Sequence, residues 1–174
     1  MTATPQLSLA EWVVLAVVAE RATHGFPIAQ QTAPDGDLGR IWHVPRPIVY
    51  RALARLADAQ LIAEDSLEAG RGPRRTIYAA TLAGRTAVTT WLQTPVEHVR
   101  DVRSHLLLKL ALLHRAGLDT TSLLERQRDT LAPIAAAIAE ERSNPDGFDA
   151  TLLAWRRASA AAAISFLADV MPAS

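Results

Sequence analysis

Gly72-Pro73-Arg74-Arg75-Thr76-Ile77-Tyr78, followed by Thr81-Leu82-Ala83-Gly84-Arg85, decides how this chain folds. Thr, Ile and Tyr in succession favour an extended strand, and the Gly-Pro pair ahead of them marks a turn. Thr81 then opens a helix as a side-chain cap. The turn is cationic: Arg71, Arg74 and Arg75 lie close together with no acid among them. Upstream, Val49-Tyr50-Arg51-Ala52-Leu53-Ala54-Arg55-Leu56 has helical periodicity, with Val49, Leu53 and Leu56 in an apolar stripe and Arg51 and Arg55 opposite. A helix with outward arginines, followed by a hairpin with a cationic tip, describes a winged helix-turn-helix. Such an arrangement is suited to straddling a polyanion.

The totals look less like a nucleic-acid binder than the distribution does. The 174 residues carry a formal net charge of zero and are 49% hydrophobic, with few aromatic residues. Yet Arg40, Arg46, Arg51 and Arg55 form one window without an acid, and Arg71, Arg74, Arg75 and Arg85 form a second. Two cationic windows in a neutral chain predict a focused contact surface. The absence of cysteine excludes disulfides and thiolate metal sites. The apolar run at 13–19 is too short for a membrane span and has no basic segment ahead of it, so a cytoplasmic protein is expected.

Read along its length, the chain is mainly α. Ser8-Leu9-Ala10-Glu11 is a capping box, with Leu7 and Trp12 placed for a hydrophobic staple. The first helix is expected to run to about residue 22 and to stop before Gly25, read as a left-handed exit. Phe26-Pro27 starts a second helix, and the loop at 34–44 is expected to anchor on the core through Trp42. Pro45 and Pro47 pre-set the start of the third helix. A strand begins at Leu61-Ile62-Ala63, turns over 68–75 and returns over 75–80, and a fourth helix runs from Thr81 to Trp91-Leu92. Residues 1–94 thus form the winged domain with its two-stranded wing.

Residues 95–174 differ in kind. An apolar helix over 103–116 ends at Gly117, Asp119 caps a long helix that Pro133 kinks, and Asn144-Pro145-Asp146-Gly147 is a turn. Phe148, Leu152, Trp155, Ala162, Phe166 and Val170 then recur at helical spacing. Ala158 and 160–163 are small enough for another helix to approach closely. Such an arm has too little core of its own, and its apolar faces call for a partner. A symmetric homodimer is the natural solution.

These residues resemble the PadR family of bacterial transcriptional regulators. The likeness covers 7–92 well and the helical tail more loosely. It is carried by His24-Gly25-Phe26, by the stretch from Val49 to Leu56 with Leu61-Ile62 after it, and by Gly72-Pro73-Arg74-Arg75, Tyr78, Thr81, Gly84-Arg85 and Trp91. The chain departs from the family pattern at Pro47, where a small residue or Gly is usual, and at Gln60, where Gly is frequent. The resemblance implies a homodimeric repressor with a winged helix for operator DNA and C-terminal helices for dimerisation. It also implies an effector pocket for a small planar aromatic compound, with Trp12, Trp155 and Phe166 as candidate lining; plain core packing of these aromatics is the competing reading.

The candidate DNA-binding residues are Arg46, Tyr50, Arg51, Arg55, Arg71, Arg74 and Arg75. Arg51 and Arg55 have the reach for a phosphate or a guanine edge; the alternative is a solvated face with Arg55 paired to Asp58. The Tyr50 hydroxyl suits a phosphate, and half-buried packing is the competing reading. The wing arginines suit a backbone contact, against a plain solubilising edge. His98, His105 and His114 are spaced seven and nine apart without a ligand pattern, so no metal is expected. No nucleophile–base pair or phosphate loop is present in the sequence, so neither an enzyme nor a cofactor is expected. The competing function is a dimeric winged-helix interaction module that does not read DNA.

Overall fold

The computed structural model describes residues 6–68, 75–141 and 146–171. It divides into two compact units, Met1–Leu92 and Gln93–Ser174. The first contains α1 (Leu9–Glu20), α2 (Gly25–Gln31), α3 (Arg46–Asp58), the antiparallel strands β1 (Ile62–Glu68) and β2 (Arg75–Ala80), and most of α4 (Leu82–Gln93). This is a winged helix-turn-helix. Its core is α1, buried without interruption from Glu11 to Val18, with α3 laid across it and the β1–β2 hairpin alongside. The helical periodicity of α3 is observed as read: Val49, Ala52, Leu53 and Leu56 face inward. Pro45 and Pro47 fall at the first turn, where their missing N–H groups have no helical partner to lose.

Several details differ from the sequence reading. Gly25 is not a left-handed exit, because α1 ends in extended backbone at Arg21 and Gly25 already belongs to α2. Glycine is required there for closeness: a Cβ would lie 2.7 Å from the Tyr50 ring. Trp42 does not anchor its loop and is 45% exposed. Leu38 and Val44 are buried instead, and the Thr32 hydroxyl donates to the carbonyls of Ile28 and Val44 at 3.0 and 3.3 Å. The hairpin also has a third participant. Thr23 exchanges both backbone hydrogen bonds with Tyr78, at 3.0 and 2.8 Å, bringing the segment before α2 against β2.

The end of α3 and the start of α4 are interlocked. Gln60 N–H bonds to Ala57 O and Leu61 N–H to Leu56 O, the two bonds of a Schellman closure. Gln60 therefore stands in the left-handed region at φ 58°, which accounts for glycine being favoured there. Thr81 caps α4 by accepting from Gly84 N–H at 3.1 Å while its hydroxyl donates toward the carbonyls of Gln60 and Leu61. Gly84 is a close-packing position: a Cβ would sit 2.0 Å from the Leu61 carbonyl oxygen. Trp12 of α1 and Trp91 of α4 stack in parallel with ring centroids 5.2 Å apart.

The second unit is all helical: short irregular turns from Val99 to Leu106, then α5 (Leu107–Arg115), α6 (Thr121–Glu140) and α7 (Gly147–Val170). The helix expected over 103–116 begins as a wide π turn, and α6 continues through Pro133. Among the described residues no buried side-chain polar atom lacks a partner. Gln127 accepts from Val96 N–H at 2.7 Å and donates to Val96 O at 2.9 Å, while the Lys109 ammonium donates to Thr94 O. Burial pulls the Lys109 ammonium down to about 8. Helix α7 packs on α6 through Leu153, Ala160, Ala163 and Leu167, not through the stripe that the spacing singled out. That stripe faces outward, with Phe148 76% and Trp155 70% exposed. Among the described residues no helix is long and apolar enough to cross a membrane.

Two substitutions test the α3–α4 interlock by chemical denaturation. Gln60→Gly is expected to stabilise the protein by about 0.5–1 kcal/mol through relief of the left-handed backbone. Gly84→Ala is expected to cost about 2–3 kcal/mol by driving a methyl into the Leu61 carbonyl.

Candidate nucleic-acid interface

One buried acid joins the exposed side of α3 to α1. Glu11, 3% exposed, completes the capping box by accepting from the Ser8 N–H and hydroxyl, both at 2.7 Å. Its other oxygen receives Arg55 Nε at 2.9 Å. Burial pushes the Glu11 carboxyl up. The Ser8 hydrogen bonds, with the charges of Arg55 and Arg51, outweigh it and hold the group below its ordinary value. Arg55 therefore carries a structural ion pair, with Glu11 rather than Asp58, while its side chain stays 65% exposed. Arg51 lies on the exposed side of α3 near the same acid.

Three of the residues singled out in the sequence, Arg46, Tyr50 and Arg75, meet in one place. The Arg46 guanidinium lies over the Tyr50 ring at 5.6 Å and over Phe26 at 5.7 Å, and Arg75 lies over Phe26 at 5.8 Å. With His24, Thr76 and Tyr78 these side chains enclose an open cup of about 470 Å3 between α2, α3 and β2. The Thr23–Tyr78 pairing explains the convergence, because it delivers His24 and Phe26 to the base of the wing. Arg71 and Arg74 lie outside the described residues. Sequence reasoning assigned no binding role to His24 or Phe26, and the signal available was the His24-Gly25-Phe26 triplet itself. The candidate effector residues fall in different units: Trp12 is in the first unit's core against Trp91, whereas Trp155 and the half-buried Phe166 are on α7.

The fold and this cationic, aromatic face define a winged-helix protein. Residues 14–90 match the model of the transcriptional regulator PadR-like family. Among solved structures, Bacillus subtilis PadR in complex with operator DNA is similar at 16% identity and TM-score 0.49, covering 97% of this chain and 100% of that one. The same protein in complex with p-coumaric acid gives 16% identity and TM-score 0.46, covering 94% and 96%. A PadR-like transcriptional regulator from Bacillus cereus gives 20% and 0.39, covering 92% and 94%. No curated protein matches. The match to that family lies wholly within the winged unit of this chain.

The pH dependence of stability reports on Glu11. Its lowered folded value means that its contribution is present above about 4.5, the ordinary value, and is lost as pH falls through the folded value. Glu11→Gln is expected to cost about 2 kcal/mol at pH 7. In urea titrations the gap between wild type and variant should close as the pH is lowered below that range.

Proposed function

We propose that this chain is a homodimeric repressor that binds an inverted-repeat operator. One α3 from each copy enters each of two successive major grooves, with the wings on the adjacent backbone. The observation that carries the reading is the gathering of Arg46, Tyr50 and Arg75 on the flank of α3 beside its buried stripe, turned toward α2 and β2. Arg51, Arg55, Arg71 and Arg74 extend that cationic face in the proposal. Phosphate contacts from such a face supply salt-dependent affinity, and α3 side chains in the groove supply sequence preference.

The second copy is inferred from α7. Phe148, Leu152, Trp155 and Val170 place an apolar, partly aromatic stripe in water, and beside it the α6–α7 pair leaves an alanine-lined groove of about 800 Å3. Ridge and groove on one helical pair suit an isologous interface, in which each copy offers both. A small planar aromatic effector, with Trp155 and Phe166 of α7 as candidate residues, is proposed to bind and shift the dimer away from the DNA-competent spacing.

Light scattering and mobility-shift titration with DNA upstream of the protein's own gene test this together. Wild type is expected at twice the 18.8 kDa chain mass, with a discrete shifted band. Trp155→Glu should give the single-chain mass and weaken binding by at least about tenfold, because the two half-sites are no longer engaged together. A dimer that shifts no duplex favours the interaction-module reading instead.

A further inference from the structure

His24 caps α2 with its ring, Phe26 N–H donating to Nδ1 at 3.2 Å. A ring nitrogen that accepts carries no proton, so the neutral imidazole holds its proton on Nε2. That nitrogen lies 3.4 Å from Nη1 of Arg75. A guanidinium has donors only and does not deprotonate in proteins. The two groups thus present N–H donors side by side, and an anionic oxygen set against both accepts two charge-assisted hydrogen bonds.

The surroundings point the same way. Arg46 and Arg75 come from segments far apart in the chain yet share the Phe26 ring, so two like charges converge on one aromatic support. Arg55, Arg128 and Arg156, by contrast, each lie against a carboxylate rather than on a ring. Ring contacts at exposed sites offset only about 0.5–1 kcal/mol each. An anion between the two guanidinium groups removes the remaining repulsion.

We propose that this cup seats one phosphodiester of the DNA backbone, held by Arg46, Arg75 and His24 Nε2–H, with Phe26 as the positioning residue for both arginines. The proposal rests on the DNA-binding reading and names the strand involved. If α3 occupies a major groove and the wing the next minor groove, the backbone between them crosses the surface between α3 and β2. The cup lies on that surface, lined by Arg46 and Tyr50 of α3 and by Arg75 and Thr76 of β2.

The test is a scan of single uncharged methylphosphonates along a duplex selected by the wild-type protein. Wild type is expected to lose affinity about tenfold at one backbone position per half-site, the scale of one charge-assisted contact. Arg75→Gln should weaken binding to the unmodified duplex by a similar factor and show no further loss at that position, while losses elsewhere persist. Phe26→Leu, which keeps both charges and replaces an exposed ring, should reduce the penalty at the same position without lowering the melting temperature. Losses for Arg75→Gln that add to the phosphonate penalty at every position overturn the seat alone. A wild-type protein that binds no duplex overturns the seat and the regulatory reading together.

Discussion

A single buried carboxylate in the first turn of α1 ties α1 to α3. Glu11 is buried and charged, a combination that costs several kcal/mol unless the charge is matched by hydrogen bonds and a counter-ion. Ser8 supplies the hydrogen bonds and Arg55 the counter-ion, from a helix 44 residues further along the chain. Arg55 against α1 adds a polar tie to the apolar stripe that sets the rotation of α3 about its own axis. Val49, Leu53 and Leu56 then point into the core, and Arg46 and Tyr50 point out. The capping box is thus more than a helix start, since it also holds a counter-ion on the helix proposed to read DNA.

What the arginines touch separates two roles. In the second unit Arg126 donates to the Gln93 carbonyl, and Arg156 and Arg157 to Glu141, so those cations bind the chain to itself. On the front of the winged unit Arg46 and Arg75 lie on aromatic rings. A ring orients a guanidinium without neutralising it, leaving its field directed at solvent. A chain with zero net charge can therefore present a strongly cationic site, because its acids neutralise other arginines.

The features legible in the sequence are those written within one turn of chain. The Ser8–Glu11 box, the proline-led start of α3, the Thr81 cap and the strand preference of Thr76-Ile77-Tyr78 each depend on near neighbours, and each is observed. The misreadings concern distant partners. Trp42 looked like an anchor because it is large, yet the Thr32–Val44 bonds fix that loop with Leu38 inside. Gly25 looked like a helix exit, while its requirement comes from Tyr50 on another helix. Periodicity located the apolar stripe of α7 correctly, but two faces of that helix are apolar. The small residues Ala160 and Ala163 let α6 take the other one. Likewise Arg46, Tyr50 and Arg75 were legible as cationic or polar candidates, but their convergence on Phe26 depends on the Thr23–Tyr78 pairing, which no local pattern announces.

Hydroxyl-radical footprinting of the protein on its selected operator tests the central claim most directly, because it reads which backbone sugars are covered and on which face of the duplex. Two protected patches per strand, about one helical turn apart and related by a twofold axis, are the result expected of paired recognition helices with flanking wings. A single patch without symmetry, or uniform weak protection along the duplex, contradicts it.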